Sequence, residues 1–199
     1  MAFLLLHNYT DFISYWGINM GKIIDFNSVR KINDSLKENL NINSNQRKNQ
    51  LYMLIGIPGC GKTTFAKKYL TKTNTIIIST DEIRKELTGT YSFSNKTNEK
   101  VFNTAKRRIK SALLNGLNVV FDATNTQKIY RQNFIKVAQD TKSDVVAIIF
   151  KTPLSICLER NSKRNIERRV PDNVIINMST FNTNIDNNEG FSKIKYINY

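Results

Sequence analysis

Gly56-Ile57-Pro58-Gly59-Cys60-Gly61-Lys62-Thr63 decides the fold reading. It fits G-x-x-x-x-G-K-[ST] in full and follows the apolar run Leu51 to Ile55. The glycines let the backbone turn and aim its N–H groups at phosphate oxygens. Lys62 is expected to reach the β/γ phosphates, and Thr63 to offer its hydroxyl to Mg²⁺. The residues from Lys62 to Leu70 read as a helix whose N-terminal dipole favours the same anion. Gly56, Pro58, Gly59, Cys60, Gly61, Lys62, Thr63 and Thr64 are therefore the expected nucleotide-binding set.

Working outward, strand and helix signals alternate. Thr75 to Ser79 is a second β-branched run, followed by a helical pattern from Asp81 to Leu87. Residues 88–98 read as a loop. Glu99 to Asn115 carries Val101, Phe102, Ala105, Ile109, Ala112 and Leu113 on one helical face, with Gly116 placed to end it. Leu117 to Phe121 is a third strand, Gln127 to Asp140 a helix and Val145 to Phe150 a fourth strand. Pro153 opens another helix, Pro171 precedes one more, and Ile194 to Ile197 reads as a last strand. Apolar strands alternating with amphipathic helices imply an α/β fold with a parallel sheet covered on both faces. Ligands of such sheets bind at the carboxyl ends of the strands, so the residues after each strand are the candidates for chemistry.

Three places stand out. After the second strand, Asp81 and Arg84 lie three apart and share a helical face. Asp81 can accept a proton from a substrate hydroxyl, and Arg84 can hold an acceptor phosphate or the phosphoryl group in flight. The plain alternative is an N-cap with an incidental Arg. Glu82 reads as solvent-facing. After the third strand comes Asp122-Ala123-Thr124-Asn125. Asp122 suits the outer shell of Mg²⁺, while Thr124 and Asn125 read as caps of the next helix. After the fourth strand, four of the chain's ten Arg fall between Arg160 and Arg169. Arg clamps phosphate better than Lys, so this stretch reads as a lid in which Arg164 or Arg160 closes over the γ-phosphate.

The composition bounds the rest. The chain has 199 residues, 30 Lys and Arg against 16 Asp and Glu, and a formal charge of +14. That length suits one α/β domain and a short extension. The charge suits an anionic partner, although Asn, Ile and Lys are abundant throughout and part of the excess follows that bias. The cluster Lys106, Arg107, Arg108 and Lys110 reads equally as a polynucleotide contact or an exposed helix face. Cys60 and Cys157 make no disulfide framework, and no apolar run approaches about 18 residues, so a cytoplasmic protein without membrane contact is expected. His7 is the only histidine, which argues against His-based catalysis. Residues 1–49 read as an extension with a helix around Asn27 to Leu40, a polar linker from Asn41 to Gln50 and an alternative start at Met20. Residues 50–199 read as the functional domain, with the lid at about 160–171.

Together these residues resemble the P-loop kinase family that includes the 5′-hydroxyl polynucleotide kinase domain of bacteriophage and bacterial end-healing enzymes, within the zeta-toxin-like superfamily. The resemblance covers residues 51–197. It rests on the phosphate loop through Thr64, Asp81-Glu82-Ile83-Arg84, Asp122-Ala123-Thr124-Asn125, Arg160-Asn161-Ser162-Lys163-Arg164, Arg169-Val170-Pro171 and Glu189-Gly190-Phe191. It implies a P-loop NTPase of nucleoside-kinase-like fold, with ATP and Mg²⁺ bound and the 5′-hydroxyl end of RNA or DNA as acceptor. It also implies Asp81 as general base, Arg84 on the acceptor's 3′-phosphate or the scissile phosphate, Arg164 on the donor phosphates, and Lys62 as transition-state stabiliser. The chain reaches only Tyr199, so the phosphatase domain of the phage enzyme is not expected, and the Pro that family members often carry after the last-helix Phe is missing from Phe181-Asn182-Thr183-Asn184. The alternatives are a kinase of a small molecule or nucleotide sugar and a nucleotide-gated binding module.

Overall fold

The structure, a computed structural model, describes residues 48–71, 74–180 and 185–198. His7, the expected helix at Asn27 to Leu40, the alternative start at Met20, most of the Asn41 to Gln50 linker and Phe181 to Asn184 lie outside the described residues.

Five strands form one sheet: β1 (Gln50–Ile55), β2 (Thr75–Ser79), β3 (Asn118–Asp122), β4 (Asp144–Phe150) and β5 (Lys193–Ile197). Their order is β2-β3-β1-β4-β5 and every pairing is parallel. Six helices connect them: α1 (Lys62–Phe65), which opens into a π-helical turn at Ala66–Leu70, α2 (Thr80–Thr88), α3 (Asn95–Leu114), α4 (Lys128–Asp140), α5 (Leu154–Ser162) and α6 (Asp172–Ser179).

Strand periodicity builds the two cores. Leu51, Met53 and Ile55 of β1 point to one face, where α3 and α4 supply Val101, Ala105, Ile109, Phe134 and Ala138. Leu54 points to the other, with Val120, Ile148 and Phe150, against Ala66 beyond α1, Cys157 of α5 and Ile175 of α6. Because helices cover both faces, the central strands are apolar on both sides, which is why they read as continuous hydrophobic runs. None of the described helices is long and apolar enough to cross a membrane.

Most boundaries lie within one residue of expectation, and the largest difference is at the start of α3. α3 begins at Asn95, not Glu99, because Ser94 caps it by accepting from the Thr97 N–H at 3.3 Å. Its first turn, Asn95-Lys96-Thr97-Asn98, is polar and leaves no apolar signature. The helix ends where Gly116, at φ 80°, takes the left-handed conformation.

Candidate active site

The parallel sheet brings the carboxyl ends of β1, β2 and β3 to one edge, and the phosphate loop leaves the central strand there. Gly56, Gly59 and Gly61 all have φ in or beside the left-handed range, at 159°, 84° and 99°. At Gly59 a methyl group would meet the Cys157 carbonyl oxygen at 2.2 Å, so only glycine lets α5 pack against the loop. The Thr152 hydroxyl donates to the Cys60 carbonyl at 3.0 Å, and the Gly56 N–H donates to the Thr124 carbonyl at 3.0 Å. The loop is thereby held by its neighbours on both sides.

The backbone donors a phosphate would need face no acceptor in the loop. Among the described residues, nothing accepts from the N–H groups of Gly61, Lys62, Thr63 or Thr64, the first donors of α1. Lys62 is buried and its Nζ donates to the carbonyls of Gly56 and Ile57 at 2.8 and 2.9 Å, which holds the ammonium inside the curve of the loop. The Thr63 hydroxyl donates to Asp122 Oδ2 at 2.7 Å. A hydroxyl and a carboxylate so juxtaposed are the hard oxygen donors that suit Mg²⁺. Burial pushes the Asp122 carboxyl above its ordinary value, against the Thr63 hydrogen bond and the nearby Lys62; Asp81 raises it further and Arg164 lowers it. Four expected site residues therefore lie within electrostatic reach of one carboxylate.

Asp81 and Arg84 occupy α2, whose first turn carries two acids where the helix dipole favours them. The Asp81 side chain is 58% exposed and that of Arg84 only 8%. Their 2.7 Å ion pair sits at the end of β2, next to β3 and its Asp122. Ser79 occupies the N-cap position, so Asp81 does not cap α2.

The four arginines between Arg160 and Arg169, expected to form a lid, have different surroundings. Arg160 lies alongside the phosphate loop, its Nη1 within 3.7 Å of where a side chain on Gly61 would begin. Arg164 is half-buried and its charge reaches Asp122. Arg168 donates to Glu82 Oε1 at 2.6 Å and stacks over the Tyr91 ring at 4.1 Å. Arg169 donates to the Ser162 carbonyl within the lid itself. Glu82 is exposed, as expected, and it also ties Arg168 to α2 through this ion pair.

Asn125 corrects an expectation. It does not cap α4, whose N-cap is Gln127; its Nδ2 donates to the Leu54 carbonyl at 2.8 Å and ties the β3 exit to β1. Sequence reasoning also missed two fixtures. Arg131 and Glu189, each 1% exposed, form a two-bond ion pair at 2.8 and 2.7 Å. Arg131 then holds the carbonyls of Asn125 and Thr126. Asn161, fully buried, donates to the Val170 carbonyl at 2.6 Å and accepts from the Val170 N–H at 3.1 Å, closing the base of the lid. Asn161 and Glu189 fall in the family-like stretches, which assign no partner, and Arg131 falls in none of them. Cys157 is buried, and burial pushes its thiol up to about 11, so it is no nucleophile. In the basic cluster of α3, Arg108 pairs with Glu86 at 2.6 and 2.8 Å, while Lys106, Arg107 and Lys110 are exposed.

A family model described as an AAA domain matches residues 51–181. The chain belongs to this family. It is 32% identical over 133 residues to the L-seryl-tRNA(Sec) kinase of Methanococcus maripaludis, covering 64% of this chain and 50% of that protein. It is 29% identical over 152 residues to an Acanthamoeba polyphaga mimivirus protein named for a bifunctional polynucleotide phosphatase and kinase, covering 75% of this chain and 30% of that protein. A chain in the solved Pnkp1/Rnl/Hen1 RNA repair complex superimposes with a TM-score of 0.61 at 26% identity, over 69% of this chain and 45% of that one. The chain thus spans about half or less of the length of these relatives. Fold, family and relatives are those of P-loop kinases, the ATP-dependent phosphotransferases.

Proposed function

We infer that this protein transfers the γ-phosphoryl group of ATP to the 5′-hydroxyl of a polynucleotide. The observation that carries the reading is the Thr63–Asp122 contact beside Lys62 of the phosphate loop, with the Asp81–Arg84 ion pair after the neighbouring strand and Arg160 alongside the loop. Such a set unites a cation for the donor phosphates, a carboxylate for the acceptor proton and a cation from the 160–171 stretch. The acceptor class is supported by the relatives, one of which is named for a polynucleotide phosphatase and kinase and another of which belongs to an RNA repair complex.

The phosphate loop from Gly56 to Thr64 would cradle the phosphates of ATP, with Arg160 and Arg164 closing from the lid. Thr63 and Asp122 would hold Mg²⁺, which neutralises charge on the β and γ phosphates when bound. The acceptor oxygen attacks the γ-phosphorus and the bond from that phosphorus to the β–γ bridging oxygen breaks. ADP leaves with the electron pair, and the hydroxyl proton passes to the Asp81 carboxylate. Lys62 follows the charge on the moving phosphoryl group, and Arg84 orients Asp81 and faces the acceptor side.

A second reading is favoured by the 32% identity to the seryl-tRNA kinase: the acceptor hydroxyl belongs to a seryl group carried on RNA. The test is transfer of label from γ-labelled ATP with Mg²⁺ to four acceptors in parallel. These are 5′-hydroxyl RNA, 5′-hydroxyl DNA, seryl-tRNA and a small polyol, with Asp81→Ala as control. Label on the 5′ end, lost in the control, is expected. Label only on seryl-tRNA selects the second reading, and label only on the polyol overturns both.

A further inference from the structure

The loop between α2 and α3 carries two aromatic residues, Tyr91 and Phe93, beside the Asp81–Arg84 pair. Tyr91 is occupied. The Arg168 guanidinium covers its ring at 4.1 Å, Lys85 stands 5.2 Å from the ring centroid, and its hydroxyl donates to Glu82 at 3.3 Å. Phe93 is different. It is 65% exposed and, among the described residues, packs against no other ring. Among the described residues its ring meets the Arg84 guanidinium, 5.9 Å from its centroid.

Single exposed apolar residues are ordinary on a protein surface. Two features set Phe93 apart. It stands beside the guanidinium that holds Asp81 at 2.7 Å, so ring and carboxylate flank the same Arg84 head group. It is also presented by a loop that its own side chains stiffen. Thr88 Oγ1 donates to the Thr90 carbonyl at 3.0 Å, Thr90 and Ser92 join through their hydroxyls at 3.2 Å, and Ser94 caps α3. A large apolar ring held in water by an ordered loop beside an acceptor site matches the stacking platforms that bind single-stranded nucleic acid.

We propose that Phe93 is the platform on which the terminal base of the acceptor strand stacks, setting the sugar so that its 5′-hydroxyl faces Asp81. The partner is the π-face of any base, so the platform favours a polynucleotide with a base at its end and discriminates little among the four. Phe93 is a specificity-determining residue, and its assignment rests on the polynucleotide reading above.

The test compares wild-type, Phe93→Ala and Phe93→Trp chains on two 5′-hydroxyl oligonucleotides, one complete and one abasic at its terminal residue, with KM for ATP measured alongside. Stacking of this kind is expected to be worth about 5- to 100-fold in acceptor KM. In the wild type the abasic acceptor should show that penalty. In Phe93→Ala the complete acceptor should fall to the abasic level, so that the two no longer differ, while KM for ATP stays unchanged. Phe93→Trp should keep the discrimination. Equal effects of Phe93→Ala on both acceptors, or none on either, would overturn the platform while the polynucleotide reading stands. Failure of the wild type to label any polynucleotide would overturn that reading and the platform with it.

Discussion

Arg84 donates through Nη1 to Asp81 at 2.7 Å, while its buried Nε meets no acceptor among the described residues. The pair is half finished: one arm of the guanidinium fixes the carboxylate and another donor waits for an oxygen.

Asp81→Asn should therefore separate binding from chemistry. The amide keeps the shape and accepts from Arg84, but it cannot take a proton. A fall of about 10²- to 10⁴-fold in kcat is expected, with KM for ATP nearly unchanged. Steady-state kinetics with labelled ATP check this. A rise in KM with kcat intact would remove Asp81 from the proton transfer.

Asp122→Asn tests the buried carboxylate through stability. Burial raises its pKa in the folded chain above the unfolded value of about 3.9. Its contribution to stability is thus fully present below the unfolded value and lost as pH rises through the folded one. At neutral pH, without nucleotide, the Asn variant should melt higher than wild type, and the gap should close as the solution is acidified. Addition of Mg²⁺ with ATP should reverse the order, because the wild type alone gains the full ligand stabilisation. Thermal melts across pH, with and without ligand, decide it.

Gly59→Ala and Gly116→Ala form a matched pair. Both glycines have positive φ, 84° and 80°. A methyl at Gly116 would meet nothing within 4 Å, whereas at Gly59 it would strike the Cys157 backbone. Gly116→Ala should cost about 1–2 kcal/mol in unfolding free energy and leave ATP binding alone. Gly59→Ala should cost more and abolish ATP-dependent stabilisation, since α5 must leave the loop. Equal behaviour of the two variants in urea melts would contradict the packing argument.

Glu189→Ala removes one half of a fully buried ion pair and leaves Arg131 uncompensated. A loss of about 3–5 kcal/mol is expected. The double substitution Arg131→Met with Glu189→Leu should recover much of it, because the desolvation penalty goes with the charges. Activity should recover less than stability, because Arg131 also holds the Asn125 and Thr126 carbonyls beside Asp122. Urea unfolding and initial rates on the same preparations separate the two effects.

The fold was legible in the sequence wherever burial imposed a period. The phosphate loop, the alternation of strands and helices and the acids at the ends of β2 and β3 all follow from local pattern. Long-range pairing was not legible. Glu82 and Arg168 are 86 positions apart, and Arg131 and Glu189 are 58 apart. A charged residue has no periodic signature that tells a solvated partner from a buried one. The same holds for Asn125, which resembles a cap in sequence because its real acceptor, the Leu54 carbonyl, belongs to another strand 71 positions earlier. The first turn of α3 was hidden for the opposite reason: nothing in it is buried deeply enough to show.

Asn161 gives the lid a property of its own. Its amide grips both the N–H and the C=O of Val170, so the segment between them is a closed ring whose ends cannot drift apart. Much of the entropy that an open segment would lose on ordering is lost when the chain folds, not when ligand arrives. Arg164 and Arg168 therefore ride on a circumference of fixed length. On the lid reading proposed above, reaching a phosphate would displace a segment whose two ends already stay together.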